Sequence, residues 1–107
     1  MSDRLPQLQK LHDLDPKDPF LTYAIALEHT KADDPAEAII WLDKTLELNP
    51  DEFYAYFQKA KALADLGETP AAIEAATSGR NRAAKAQDEK AASELNELLH
   101  MLTTDLD

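Results

Sequence analysis

Apolar residues recur along most of this chain at intervals of three or four, the spacing of a helix with one buried side. No stretch alternates between apolar and polar residues in the manner of a half-buried strand. The pattern therefore predicts an all-α protein of about six helices. The first of these is marked by leucines at three-residue spacing: Leu5, Leu8, Leu11 and Leu14.

Proline marks where the predicted helices begin and end. Asp18, Asp34 and Thr69 each stand directly before a proline. A capping residue followed by proline at the first helical position is typical of a helix start, so these three are predicted N-caps. Asn49 stands before Pro50 and ends the third helix, because proline pushes the preceding residue out of the helical region.

A segment near the start of the chain is repeated near its middle. The stretch DLDPKDPF at residues 13–20 is echoed by ELNPDEFY at residues 47–54. Further pairs match at this same separation: Pro16 with Pro50, Ala26 with Ala60, Asp33 with Gly67, Ala38 with Ala72, and Ile39 with Ile73. A period of about 34 residues built from two helices resembles the tetratricopeptide repeat, and the chain looks like a small bacterial-type member of that family.

The resemblance covers residues 19 to about 85 and rests on small and turn-forming residues. The family places a small residue within the first helix of each repeat, a turn residue between the two helices, and alanine early in the second helix. Ala26 and Ala60, Asp33 and Gly67, and Ala38 and Ala72 occupy these three positions in turn. The sequence departs from the pattern where it has Thr22 and His29 in the first repeat and Lys59 and Ala84 in the second.

The resemblance implies one domain, 1–107, that forms a short right-handed superhelix of paired helices. Residues 4–14 are predicted to be the second helix of a truncated repeat, 19–52 and 53–86 to be two full repeats, and 88–104 to be a capping helix. A repeat cannot bury its apolar faces alone, so both flanking helices are needed.

In this family the first helices of the repeats line a concave groove that binds a partner. Mapped by resemblance, the predicted partner-binding residues here are Phe20, Tyr23, Leu27, Tyr54, Phe57, Gln58 and Lys61.

The aromatic residues permit two interpretations of this surface. Six of the seven lie in the opening turns of the helices that begin the two predicted repeats. Four of these six fall within residues 53–57. Such a helix is apolar on most of its circumference, so some rings are expected to face outward and contact a partner. In the other interpretation these rings pack on neighbouring helices. Trp41 likewise either packs between helices or marks a self-association patch.

One known family function is not expected. Some members clamp the carboxylate of a chaperone tail with Lys, Arg and Asn at fixed groove positions. The corresponding positions here hold Tyr23, Leu27, Gln58, Asp88 and Ala92.

Charge and composition narrow the class of protein. The formal net charge is −10, from 21 acidic and 11 basic residues, which argues against nucleic-acid binding. The acidity fits either a basic partner or a protein kept soluble in high salt. There is no cysteine, no signal-like start and no apolar run of membrane-spanning length, so a soluble cytoplasmic protein without a membrane partner is expected.

No motif for catalysis, metal or cofactor binding is recognisable. His12, His29 and His100 are not spaced as a helical metal pair, and the acidic run at residues 13–18 lacks the glycine and glutamate of a calcium loop. There is no glycine-rich phosphate loop. The sequence therefore predicts a non-enzyme with no catalytic residues, no metal and no cofactor.

The leading hypothesis is an adaptor that binds a peptide segment of another protein. The alternative is a self-associating structural subunit, a homodimer without a peptide groove. It rests on the exposed ends of repeat stacks and on the Ala-rich fifth helix, which contains Gly79 and is predicted to need cover.

Overall fold

The computed structural model describes residues 4–104, which form six α-helices and no strand. This confirms the predicted all-α fold. The helices are α1 (Leu5–Leu14), α2 (Pro19–Lys31), α3 (Pro35–Leu48), α4 (Phe53–Asp65), α5 (Thr69–Lys85) and α6 (Glu89–Thr104).

Each helix packs against the next one along the chain, and α4 also touches α6. The connections are short, so consecutive helices run antiparallel. The Cα atoms extend over 43 × 30 × 18 Å. Helices pack about 8–10 Å apart, so the smallest dimension holds two layers of helices. The protein is therefore a stack of helical hairpins.

Aspartate side chains cap three of the helices. The Asp18 carboxylate accepts the N–H of Phe20 at 2.9 Å, and Asp34 accepts that of Glu37 at 3.2 Å. Asp88 does the same for α6. The predicted cap at Thr69 is wrong, because Thr69 lies inside α5 and the preceding residue makes no side-chain capping bond.

Three of the turns between helices share one geometry. Asp33, Gly67 and Gln87 have φ of 59°, 79° and 64°, in the left-handed region. At each, the next residue donates its N–H to the carbonyl five positions back, at 2.9 Å: Asp34 to His29, Glu68 to Leu63, and Asp88 to Ala83. These bonds satisfy carbonyls at the helix end as in a Schellman motif, so the sequence match of Asp33 with Gly67 is a match of backbone conformation.

Relative to the 34-residue spacing, α5 ends later than α3. Leu48 is the last residue of α3, and Pro50 follows it. The position equivalent to Pro50 in the next repeat is Ala84, which can remain helical. As a result α5 continues to Lys85 and closes with the turn at Gln87 instead of an Asn-Pro pair.

The leucine stripe of α1 is only partly buried. Leu8 is 6% exposed, whereas Leu11 is 50% and Leu14 is 84% exposed. A step of three residues turns a helix by about 300°, so each successive leucine is rotated about 60° from the one before. Leu14 consequently lies opposite Leu5, and the predicted single apolar face of α1 is wrong.

Small residues bring the second half of the protein together. Along α5 the buried positions are Ala72, Ala75, Ala76, Gly79 and Ala83. They pack against α4 and α6, whose contributions include Ala60, Leu95 and Leu98. The fifth helix is therefore covered within the chain itself, and the prediction that it needs a partner for cover is wrong.

Departures from the repeat pattern have local compensation. Thr22 is 1% exposed, and its hydroxyl donates to the carbonyl of Pro19 at 3.0 Å. The hydroxyl of Thr45 donates to the Thr22 hydroxyl at 2.8 Å, and this hydrogen bond links α3 to α2. Lys59 forms an ion pair with Asp43 on α3 at 2.7 Å. These polar contacts replace the apolar packing that the family pattern has there.

Trp41 is packed, with 9% of its surface exposed. The ring of His12 on α1 meets it edge-on at 5.0 Å, and the ammonium of Lys44 lies 4.1 Å from its centroid. The ring therefore fastens α1 to α3 and does not form an exposed patch.

Candidate partner-binding face

The seven residues predicted to bind a partner lie on α2 and α4, and none is fully buried. Phe20 is 71% exposed, Lys61 is exposed, and the other five are partly buried. Phe20, Tyr23 and Leu27 belong to α2, whereas Tyr54, Phe57, Gln58 and Lys61 belong to α4.

Tyr23 connects the α2 group to the α4 group. Burial and the nearby Glu52 carboxylate raise the pKa of its hydroxyl, while a hydrogen bond with Gln58 acts in the opposite direction. Tyr54 is also close enough to contribute. The structure thus brings together Tyr23, Tyr54 and Gln58, although the two tyrosines lie on different helices.

Tyr54 connects the α4 group to α6. Partial desolvation raises the pKa of its hydroxyl, and the carboxylates of Glu94 and Asp88 raise it further, since an added negative charge there is unfavourable. The side chains of α2, α4 and α6 therefore form one surface. We call it the α2–α4–α6 face and define it by the seven predicted residues together with Glu94, Glu97, Leu98 and Met101.

The aromatic rings on this face also support the core. Tyr54 and Phe57 pack against the buried cluster of Ala83, Ala91 and Leu95, and Tyr23 packs against the cluster that contains Ile25 and Leu42. Each ring is thus partly exposed and partly packed. Each of the two interpretations made from the sequence therefore applies to part of every ring: one part packs on neighbouring helices, and another part is exposed.

Two of the depressions along the face are lined by aromatic side chains. One, of about 240 Å³, is lined on α2 by Phe20, Tyr23 and Leu27 and is edged by Arg4 and Lys31. Both cations pair with the Glu28 carboxylate, at 3.8 Å and 3.2 Å. This end of the face therefore combines apolar surface with positive charge.

The other depression, of about 440 Å³, separates α4 from α6. Phe57 and Lys61 line it on α4, and the ammonium of Lys61 lies 5.8 Å from the centre of the Phe57 ring. The α6 side consists of Glu94, Glu97, Leu98 and Met101. We call this depression the α4–α6 cleft.

Sequence reasoning missed the α6 side of the cleft. Residues 88–104 were predicted only as a capping helix, without a role in binding. The available signal was the neighbouring helix face, where Glu94, Glu97 and Met101 follow one another at helical spacing. The way α6 packs on α4 then decides that these side chains face the predicted residues.

Within residues 4–104, no group of His, Asp and Glu side chains converges in a way that could hold a metal ion. In the same part of the chain, no helix has the length and apolar character needed to cross a membrane. The face offers apolar area, hydroxyl and amide groups and a few charges, which suit contact with a polypeptide.

Comparison with known proteins identifies the family. A tetratricopeptide repeat domain protein from Salinibacter ruber, solved by NMR, is 32% identical and superposes with a TM-score of 0.76. The match covers 82% of this chain and 89% of that one. This chain is a tetratricopeptide repeat protein.

The tetratricopeptide repeat family model matches residues 41–74 of this chain. This interval runs from α3 through α4 into α5, across the predicted boundary between residues 52 and 53. The repeat boundaries therefore stay a prediction, although membership of the family does not depend on them. No curated protein sequence matches the repeat protein.

Other solved structures show the same fold at lower identity. PcrH in complex with the chaperone binding region of PopD has a TM-score of 0.90 at 21% identity, covering 98% of this repeat protein and 80% of PcrH. The TPR2B domain of yeast Sti1, in a complex with pHsp70, has a TM-score of 0.87 at 23% identity. That match covers 94% of this chain and 81% of the Sti1 chain.

Proposed function

We propose that this repeat protein is a cytoplasmic adaptor without catalytic activity that holds a segment of another protein against the α2–α4–α6 face. The observation that carries the proposal is the row of incompletely buried apolar side chains on that face. Phe20, Tyr23, Tyr54, Phe57 and Met101 all keep exposed surface there.

Physical reasoning supports a polypeptide as the ligand. Aromatic side chains supply large contact areas at a small cost in conformational entropy, and several here are already held in place by the core. The two depressions are separated by α4, so a bound segment would place side chains in each while its backbone crosses the helix. Related folds are found in complexes with partner segments: PcrH with a region of PopD, and a domain of Sti1 with pHsp70.

The proposal is tested by capture of partners from the lysate of the source organism with three variants beside the wild type. Phe20→Lys and Met101→Lys alter the face at side chains that are 71% and 63% exposed. Ile40→Lys is the matched control, because Ile40 is 48% exposed, lies on α3 and receives the same change of charge.

The proposal expects a protein retained by the wild type and by Ile40→Lys but lost with Phe20→Lys or Met101→Lys. If all four forms retain the same proteins, contact is made elsewhere and the face is misassigned. If none retains any protein, self-association is favoured instead.

A second candidate function, self-association, is favoured by one observation at the end of the stack. Leu11 and Leu14 of α1 are exposed and apolar. A second copy covering them would form a homodimer through α1. Light scattering at micromolar concentration tests this: a dimer that Leu14→Glu converts to a monomer supports it, and a monomeric wild type refutes it.

A further inference from the structure

The α4–α6 cleft carries apolar surface that the chain itself leaves uncovered. Met101 is 63% exposed at its rim, and the partly exposed ring of Phe57 forms the opposite wall. At about 440 Å³ the cleft falls within the size range of specific ligand pockets. An apolar side chain inserted there would bury this surface.

Two carboxylates stand beside this apolar surface on α6. Glu94 and Glu97 are one helical turn apart, so both project toward the same side of the cleft. Neither forms an ion pair with a Lys, Arg or His within residues 4–104, where the ion pairs of Arg4, Lys31, Lys59 and Arg82 lie elsewhere.

The nearby cations do not neutralise these carboxylates by contact. Lys61 stands over the Phe57 ring on the opposite wall, and Lys90 precedes Glu94 by one turn, but neither makes an ion pair in the described part of the chain. Glu94 instead accepts a hydrogen bond from the Tyr54 hydroxyl, whose pKa is raised by desolvation and further by this carboxylate. An ionised carboxylate has additional lone pairs and keeps its charge while it accepts this bond. The Glu94 and Glu97 carboxylates on α6 are therefore able to form ion pairs with the cations of a ligand.

We propose that the α4–α6 cleft binds a short peptide segment in which an apolar side chain is flanked by lysine or arginine. The apolar side chain would contact Phe57, Leu98 and Met101, and the cations would pair with Glu94 and Glu97. This inference rests on the proposed function and specifies the chemistry of the partner. The net charge of −10 acts in the same direction, because it attracts a basic partner over longer distances.

A second copy of the chain fits the cleft less well. Two copies that each carry a charge of −10 repel one another. Two arginines of α5 also have partners within their own chain: Arg82 pairs with Asp51 at 3.2 Å, and Arg80 donates hydrogen bonds to Asn81 and Asn96. A separate basic segment does not carry these disadvantages.

The test uses two synthetic peptides that differ only in charge. One contains two leucines flanked by lysines, and the other has glutamate at every lysine position. Each is titrated to millimolar concentration into the isotope-labelled protein, and amide chemical shifts report where it binds. Light scattering in the same samples detects a second copy of the chain as the occupant.

The expected result is saturable binding of the lysine peptide, with shifts concentrated in α4 and α6 and little effect from the glutamate peptide. Glu94→Gln and Glu97→Gln should each weaken binding about two- to five-fold, as expected for exposed ion pairs. Glu47→Gln is the control, since Glu47 is exposed on α3 and loses the same charge. Its affinity should match the wild type.

Three results would overturn the inference. Equal binding of both peptides, affinities unchanged in the two glutamine variants, or no shifts in α4 and α6 at millimolar peptide would each do so. The proposed function is judged separately by partner capture with Phe20→Lys and Met101→Lys. A partner captured through the face alongside a negative peptide result therefore refutes the binding of a basic apolar segment in the cleft and leaves the proposed function standing.

Discussion

Replacing Gly79 by alanine tests whether α5 lies as close to its neighbours as the structure places it. A Cβ at this position would come 2.5 Å from the Cβ of Tyr56, 2.9 Å from its Cγ and 3.2 Å from Cδ1 of Leu95. Carbon atoms pack best at about 3.5–4.0 Å. The Tyr56 Cβ is bonded directly to the α4 backbone, so a change of rotamer cannot move it away and the helices must separate by about 1 Å to restore that spacing.

Two opposing effects set the size of the change in stability. Alanine in place of glycine within an isolated helix gains about 1 kcal/mol. Overfilling a packed core costs about 1–3 kcal/mol, and the backbone movement required here favours the upper part of that range. We therefore expect Gly79→Ala to lower the free energy of unfolding by about 1–2 kcal/mol, which corresponds to a fall in Tm of roughly 5–15 °C for a domain of this size.

Urea denaturation followed by far-ultraviolet circular dichroism measures this free energy, and an unchanged slope would show that the unfolding transition itself is the same. Ser78→Ala is the matched control. Ser78 is the exposed neighbour on α5, so alanine there should raise stability by a few tenths of a kcal/mol through helix propensity alone. If Gly79→Ala stabilises the protein as much as Ser78→Ala does, α5 does not approach α4 this closely and the reasoning is refuted.

Three further predictions concern polar groups. Thr22→Val removes the hydroxyl that accepts from Thr45 and should cost about 0.5–1 kcal/mol, a loss kept small because the Thr45 hydroxyl still donates to the carbonyl of Trp41. The double variant Thr22→Val/Thr45→Val should lose less than the sum of the two single variants, and additive losses in urea denaturation would contradict this. Asp34→Ala should lower the free energy of unfolding by about 1 kcal/mol through loss of the α3 cap, and an unchanged urea midpoint would argue against the cap. The folded protein favours the neutral forms of Tyr23 and Tyr54, and their pKa values are therefore raised. The stability that the neutral tyrosines contribute is fully present below the ordinary pKa of 10.0 and is lost as pH rises through the higher folded pKa values. Urea midpoints measured on both sides of that value should fall less steeply for Tyr23→Phe/Tyr54→Phe than for the wild type.

The fold was largely predictable because its main signals are local. Asp18 and Asp34 cap the helices that follow them, and Asp33 and Gly67 take the left-handed conformation at equivalent turns. Such signals act within a few residues, so they can be recognised without knowing what packs where. Their recurrence at the spacing of the repeat then specified a stack of helical hairpins.

The candidate site was predictable only in part. Tyr23 on α2 and Phe57 on α4 stand at equivalent points of the period, which the sequence shows, and the structure adds that each ring is partly exposed. Glu97 and Met101 were overlooked, because the face of α6 that they occupy acquires a meaning only once α6 lies beside α4.

The sequence by itself therefore determined the number and order of the helices, most of their ends and the repeat family that they resemble. Only the tertiary structure decided that Leu14 is exposed whereas Trp41 is covered, and that Gly79 lies against Tyr56. It also decided that two carboxylates of α6 border an apolar cleft. The physical reason is that caps and turns depend on neighbouring residues, whereas exposure and close contact depend on how distant helices pack.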